Sequence, residues 1–230
     1  FYALDDSKYT LQPARIPVAI TNGIYHTKEE VVKLNAQRIG VSLNTYDLIN
    51  GGTGHVGIYN MTVIDGDRMV YEYQVDRMSF ADKRYVLSHV DYSVFLSEGR
   101  KPFHKCYVEP GNQCPVYSNL HDAGVLDLSD GQVHNVLVEI HDFHGNTSIV
   151  KLKLKYDAAA TTLKTTPGGF SKVFSYSKAD EFTAPGFKIN MPKGCLFDDV
   201  PVNYSVVTPT DAKVCSKVHI IGNSNTQTFD

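Results

Sequence analysis

Gln132-Val133-His134-Asn135-Val136-Leu137-Val138-Glu139-Ile140-His141-Asp142-Phe143-His144-Gly145-Asn146-Thr147-Ser148-Ile149-Val150-Lys151-Leu152-Lys153-Leu154-Lys155-Tyr156 is the stretch on which the fold turns. In its first half His134, Val136, Val138 and Ile140 alternate with Asn135, Leu137 and Glu139. After the turn at His144-Gly145-Asn146, Val150, Leu152, Leu154 and Tyr156 alternate with Lys151, Lys153 and Lys155. A strand sends successive side chains to opposite faces, so a period of two means one buried and one wet face. The stretch therefore predicts a β-hairpin, and its lysine row discourages edge-to-edge pairing.

The same grammar extends upstream. Residues 56–64 lead into Asp65-Gly66-Asp67, and residues 68–75 return, with Met69, Tyr71, Tyr73 and Val75 on one face and Glu72 and Gln74 on the other. Two such runs around an Asp-Gly turn predict a second hairpin. Residues 38–48 form an extended run that ends in the turn-like Asn50-Gly51-Gly52-Thr53-Gly54. Residues 80–99 are the least regular, with Asp91 as N-cap of a short helical turn over residues 92–98. Residues 158–169 are rich in Ala and Thr, end in Pro167-Gly168-Gly169, and have the composition of a linker. Further strands are expected at 173–176, 187–191, 200–207 and 214–221. Short strands punctuated by turns favour a β-sandwich followed by a smaller one. The second module has few strands for its size, as a module cut short at Asp230 would.

Bulk properties exclude several functions. The 230 residues carry a formal net charge of −3, with 42% hydrophobic and 20% charged residues, and no basic cluster. Nucleic-acid binding draws its affinity from Lys and Arg at phosphates, so no nucleic-acid partner is expected. No apolar run approaches the roughly 20 residues that span a bilayer, so no transmembrane segment is expected. The chain starts at Phe1 without an initiator Met or signal peptide, which places the expected true N-terminus upstream. Cys106, Cys114, Cys195 and Cys215 lack the close spacing of a zinc knuckle or redox motif. Two readings stay open: disulfides Cys106–Cys114 and Cys195–Cys215, each contributing roughly 2.5–3 kcal/mol on the chain-entropy model, or four buried thiols.

Several motifs invite chemistry. Gly52-Thr53-Gly54-His55-Val56-Gly57 matches a dinucleotide fingerprint by letter, but a strand pattern follows where the fingerprint needs a helix. His141 and His144 lie three apart beside Asp142, and on a strand they would point to opposite faces. A turn held by Asp142 and Asn146 is the simpler expectation. His104 and Cys106 share a strand face, but a catalytic dyad needs an orienting third group and an oxyanion hole. Asp65 with Asp67, and Asp127 with Asp130, sit in turns that alone supply too few oxygens for calcium. Asp198 and Asp199 are expected as solvated loop residues. Tyr59, Tyr85, Tyr92, Phe95, Phe103, Tyr107 and Tyr117 are the aromatics that could stack on sugar rings, although Tyr also suits a half-buried sheet.

An ordered series of segments carries a family resemblance. It comprises Arg38-Ile39-Gly40 leading to Tyr46-Asp47, Gly57-Ile58-Tyr59 leading to Asp65-Gly66, Asp76-Arg77-Met78-Ser79-Phe80, Arg84-Tyr85, His89-Val90-Asp91-Tyr92, Pro110-Gly111-Asn112, and Asp142 through Thr147. The series resembles the immunoglobulin-like region downstream of the catalytic domain in lysostaphin-type zinc metallopeptidases of Bacteroidetes. Residues 187–207 resemble, more faintly, the start of the module that follows there. The resemblance implies an exported protein of the cell envelope, periplasmic or extracellular, whose peptidase domain cuts peptidoglycan cross-links. That family binds zinc through His-x-x-x-Asp and His-x-His; neither motif occurs here, and Glu30 stands four after His26. A catalytic zinc needs three protein ligands and an open water position. No catalytic, cofactor-binding or metal residue is therefore assigned, and zinc is expected only in the missing catalytic domain.

The expectation is an all-β chain: an immunoglobulin-like β-sandwich at 1–156, a linker at 157–169, and a smaller β module at 170–230. It is not expected to be an enzyme by itself. Asp76, Arg77, Arg84 and Asp91 are expected to form a structural charge network that ties down residues 80–99. The expected role is to position or dock the peptidase domain of the same polypeptide, or to contact peptidoglycan or an envelope protein. The alternative is a stand-alone surface module for glycan binding or adhesion.

Overall fold

Alternation in the quoted stretch closes into a long hairpin, His134–His141 against Thr147–Tyr156, paired antiparallel from His134 with Leu154 to His141 with Thr147. Val136, Val138, Ile140, Val150, Leu152 and Leu154 are buried, and the intervening residues are not. The computed structural model describes residues 1–5, 9–48, 54–166, 169–210 and 216–222. Strands account for 44% of it and helix for 9%, in an all-β fold without barrel closure. Contacts divide the chain into two units: residues 1–108 with 113–167, and residues 168–230 with 109–112.

The first unit centres on an eight-stranded sheet. Its order is Tyr117–Ser118, Arg68–Gln74, Asn60–Asp65, His134–His141, Thr147–Tyr156, Ile24–Thr27 and Val18–Thr21, with Val32–Leu34 also beside Thr147–Tyr156. The N-terminal strands Ile24–Thr27 and Val32–Leu34 run parallel to Thr147–Tyr156. That strand is thus internal, and Lys151 and Lys153 guard a wet face rather than an edge. A smaller sheet of Tyr2–Ala3, Arg38–Gly40 and Leu126–Asp127 supplies Ala3, Ile39 and Leu126 to the same core. The extended run at 38–48 breaks into Arg38–Gly40, Ser42–Asn44 and Asp47–Leu48, which join three different sheets.

The shorter hairpin, Asn60–Asp65 with Arg68–Gln74, carries a bulge. Val63 pairs with Tyr71 but Ile64 pairs with Met69, so Val70 is the extra residue. A bulge sets neighbouring residues on one face. Val70 and Tyr71 are both buried and Met69 is exposed, which corrects the simple alternation that put Met69 beside Tyr71.

The linker assignment at 157–169 also needs correction. Leu163 is buried in the first unit's core, Lys164–Thr166 pairs with Tyr9–Gln12, and Leu163 exchanges hydrogen bonds with the Asn35 side chain at 2.9 and 3.1 Å. Apolar burial and a satisfied backbone fix this segment despite its linker-like composition.

The second unit consists of three antiparallel pairs: Lys172–Phe174 with Val200–Val202, Asp180–Ala184 with Phe187–Met191, and Tyr204–Val207 with Val218–Ile221. Phe174, Met191, Cys195, Leu196 and Val202 form its core. The unexpected strand Asp180–Ala184 is joined to the next by Pro185-Gly186, with Gly186 at φ 77°, a two-residue turn whose sequence signals it. Asp199 is not merely solvated: its carboxylate accepts the Tyr176 N–H at 3.0 Å.

Candidate functional site

Three places in the first unit gather side chains of chemical interest. At one end of the sandwich, a cleft of about 750 Å³ is lined by Asp65, Asp67, Arg68, His121, Asp127 and His134, among others. The carboxylates that the sequence leaves in separate turns meet here. His134 bridges two of them, with Nδ1 2.7 Å from Asp65 and Nε2 3.1 Å from Asp130. Burial pulls the imidazole pKa down, but the bonds to Asp65 and Asp130 outweigh it and the net direction is up. Asp127 is held low by bonds from Ser129, and Asp130 by the Gln132 N–H and His134. Arg68 lies 3.0 Å from His121, and Arg38 pairs with Asp122 at 2.7 Å. The turn behind them is left-handed at Asp122, Ala123 and Gly124, with φ of 47°, 54° and 83°. A Cβ on Gly124 would sit 2.6 Å from the Cys106 carbonyl, so only glycine fits. Opposite charges largely satisfy one another in this cleft. Among the described residues no group of three or more His, Cys, Asp or Glu side chains converges as a metal site.

The second place is an open sheet edge. Val18–Thr21 ends the large sheet and, among the described residues, pairs only with Ile24–Thr27. The two strands are joined by Asn22-Gly23, at φ 50° and 79°, the positive-φ pair of a type I′ turn. In such a hairpin the residues flanking the turn are hydrogen-bonded and the pattern then alternates. Thr21 and Ala19 therefore bond inward, and the N–H and C=O groups of Val18 and Ile20 point away from the sheet. All four residues are exposed. Val18 and Ile20, 41% and 59% exposed, lie opposite Thr27 and Tyr25 and extend the core face beyond its covered part. Next to them an apolar groove of about 350 Å³ is lined by Ile16, Val18, Leu43, Phe103 and Leu152 among others. The Asn-Gly signal in the sequence identifies this hairpin, although the strand's position at the edge follows only from the fold.

The third place is the insert at 80–105, which is more ordered than its sequence suggests. It contains α1 (Lys83–His89) and α2 (Tyr92–Ser97). Asp91 caps α2 as expected, accepting the Val94 N–H at 2.9 Å, and its other oxygen accepts the Tyr2 hydroxyl. The expected four-residue charge network is divided. Asp91 is buried in the insert, whereas exposed Asp76 accepts the Tyr59 hydroxyl at 2.6 Å and the Gln74 amide at 2.9 Å. The Tyr59 bond, then the Gln74 bond, hold the Asp76 carboxyl below its ordinary range, with Arg77 adding to the effect. Arg84 lies over the Tyr85 ring at 5.4 Å. Asp76 thus fastens its own hairpin, because the chain turns away before α1. Inside the insert, His89 and His104 are buried and bonded ring to ring at 2.9 Å, a contact no sequence motif signals.

The remaining expected residues fall as follows. Cys106, Cys114 and Cys195 are buried, Cys106 as a free thiol, and Cys215 lies outside the described residues. Burial pushes the Cys106 thiol up to about 12, and its sulfur lies 3.7 Å from Met61 Sδ and 3.9 Å from the His104 carbonyl, not against the His104 ring. It is an inert thiol. Gly51, Gly52 and Thr53 lie outside the described residues; His55–Val56 downstream of them is a strand, as the strand pattern requires. Asp142 accepts the His144 and Asn146 N–H groups at 2.8 Å, the turn expected there. None of the seven aromatics proposed for sugar stacking is exposed. Among the described residues the exposed aromatics are Phe80, Phe143 and Tyr46, the last stacked on His55 at 3.8 Å.

Residues 171–227 match a Zu5-like domain. No curated protein and no solved structure matches the chain.

Proposed function

We propose that this chain is a non-catalytic docking region of an exported cell-wall peptidase, and that the Val18–Thr21 edge receives an extended segment of the peptidase domain. The edge strand is the observation that supports this reading. Its outward groups offer two N–H donors and two carbonyl acceptors, next to an apolar face that runs out uncovered. Exposed edges invite strand addition, and native proteins usually blunt them with charge or proline. Val18-Ala19-Ile20-Thr21 carries neither. Four backbone bonds at about 0.5–1.5 kcal/mol each give roughly 2–6 kcal/mol. That range is centred near mM affinity, too weak for a dilute partner. It suffices for a tethered one, whose effective concentration is about mM. The arithmetic therefore favours a segment of the same polypeptide over a free ligand. Zinc and the hydrolytic step belong to the other domain in this reading.

Two measurements test it. The coding sequence upstream of Phe1 is expected to specify a domain with His-x-His; a different domain or none would favour the stand-alone module. In the joined protein, amide exchange at Val18 and Ile20 should slow by about twofold at the centre of that range relative to this chain alone, and Ile20→Lys should abolish that protection. Saturable retention of the isolated chain on purified peptidoglycan, unchanged by Ile20→Lys, would instead establish the glycan-binding alternative.

A further inference from the structure

The buried histidines fall into a directional chain of hydrogen bonds. His104 bonds the Thr45 backbone, and its Nδ1 is taken by His89, so Nε2–H is the group that donates to the Thr45 carbonyl. His104 Nδ1 is then a bare acceptor, and His89 Nε2–H must donate to it across 2.9 Å. His89 Nδ1 is in turn the acceptor that faces the Tyr117 hydroxyl at 3.3 Å. Each ring is fixed as the neutral Nε2–H tautomer by its neighbours. Tyr73 stacks flat on His89, with centroids 4.2 Å apart and planes 7° apart, and shuts that side of the ring.

We propose that this hydrogen-bond chain is an acid-sensitive latch: a proton taken from solvent breaks it and releases the helices of the insert, residues 83–97, from the sandwich. A proton on His104 Nδ1 would set an N–H against the N–H of His89. A proton on His89 Nδ1 would reverse the bond to Tyr117, whose hydroxyl oxygen would then accept, and leave a cation among apolar walls. The groups that face the pair are Tyr73 and Tyr117 from the large sheet and Lys105 beside His104, and Lys105 would repel the new charge. Burial, the mutual effect of the two rings, and Lys105 all favour neutral His89. The latch joins the end of α1 to Phe103–Lys105, which itself pairs with Ser42–Asn44. Its loss therefore frees α1 from a strand that the sandwich still holds.

The sign is determined by linkage. A histidine whose folded pKa is depressed binds its proton in the open form, so closure is complete above about 6.5 and weakens below it. One proton gives about a tenfold loss in the closing constant per pH unit. Hydrogen exchange on the intact chain, corrected for intrinsic rates, should show residues 83–97 opening by that factor between pH 6 and 5. Amides of the long hairpin should stay protected over the same range. Equal acceleration in both places, or none in the insert, overturns the latch. In the double variant His89→Gln, His104→Gln the acid step should vanish. Nitrogen NMR of the wild-type rings supplies an arm independent of any variant: both histidines should be neutral Nε2–H tautomers at pH 7. An imidazolium or an Nδ1–H tautomer at either position would equally overturn the assignment.

Discussion

In the long hairpin, Val136, Val138, Val150, Leu152 and Leu154 are buried at every second position, and the positions between them face outward. The insert at 80–105 buries Ser88, His89, Asp91, His104 and Lys105, and does so through hydrogen bonds. Both regions pack into the same unit, but they are held differently. An apolar strand core is stabilised in proportion to area removed from water and has no titrating part. A buried polar core is stable only while every group keeps its partner, because an orphaned donor or acceptor costs the full desolvation penalty. The first should therefore fail by cavity formation, the second by loss of a partner or gain of a proton.

Four experiments would break or sharpen this contrast. The largest effect belongs to Leu154→Ala, at a fully buried position: roughly 2–5 kcal/mol of lost stability at all pH values, measured by urea denaturation. A loss under 1 kcal/mol would mean the hairpin face is not the core. Asp91→Ala leaves the Tyr2 hydroxyl and the Val94 N–H without their acceptor, and should remove roughly 1–3 kcal/mol. Exchange at the α2 amides should report that loss before the hairpin amides do; simultaneous loss would contradict a separately held insert.

His134→Gln tests a titrating group on the hairpin itself. Its folded pKa is raised by Asp65 and Asp130 against the pull of burial, so its contribution is full below the unfolded value near 6.5 and fades as pH rises through the folded value. The stability gap between wild type and His134→Gln should shrink from pH 6 to pH 8. A gap that widens would refute the Asp65–His134–Asp130 bridge. The direction is opposite to that of His89, so the two histidine sites are separable by pH alone. Lys153→Ala should have the smallest effect. Lys153 pairs with exposed Glu30 at 2.9 Å on the wet face, and such pairs change stability by less than about 1 kcal/mol. A larger effect would show the lysine stems to be part of the packing.

The two regions also differ in how much of them the sequence discloses. Both hairpins, the Asp142 turn and the Asp91 cap are legible, because each rests on contacts within a few residues along the chain. Val70 is not, since a bulge shows only when a partner strand counts two residues against one. The linker-like composition of residues 158–169 misleads because Leu163 finds its pocket beside Asn35, far away along the chain. The two unnoticed hairpins carry signals that local rules recognise, Asn22-Gly23 and Pro185-Gly186. The His89–His104 pair carries none, and neither does the cleft where Asp65, Asp127 and His134 meet.

By itself the sequence determined the all-β character, the strand faces and the tight turns, because side-chain alternation and positive-φ turn residues act over neighbours. Only the tertiary structure decided which strand stays at the edge, which carboxylates share a cleft, and which histidines are sealed together. Those outcomes depend on pairings between segments tens of residues apart, and burial, which sets the chemistry of each polar group, exists only once the sheets have closed on one another.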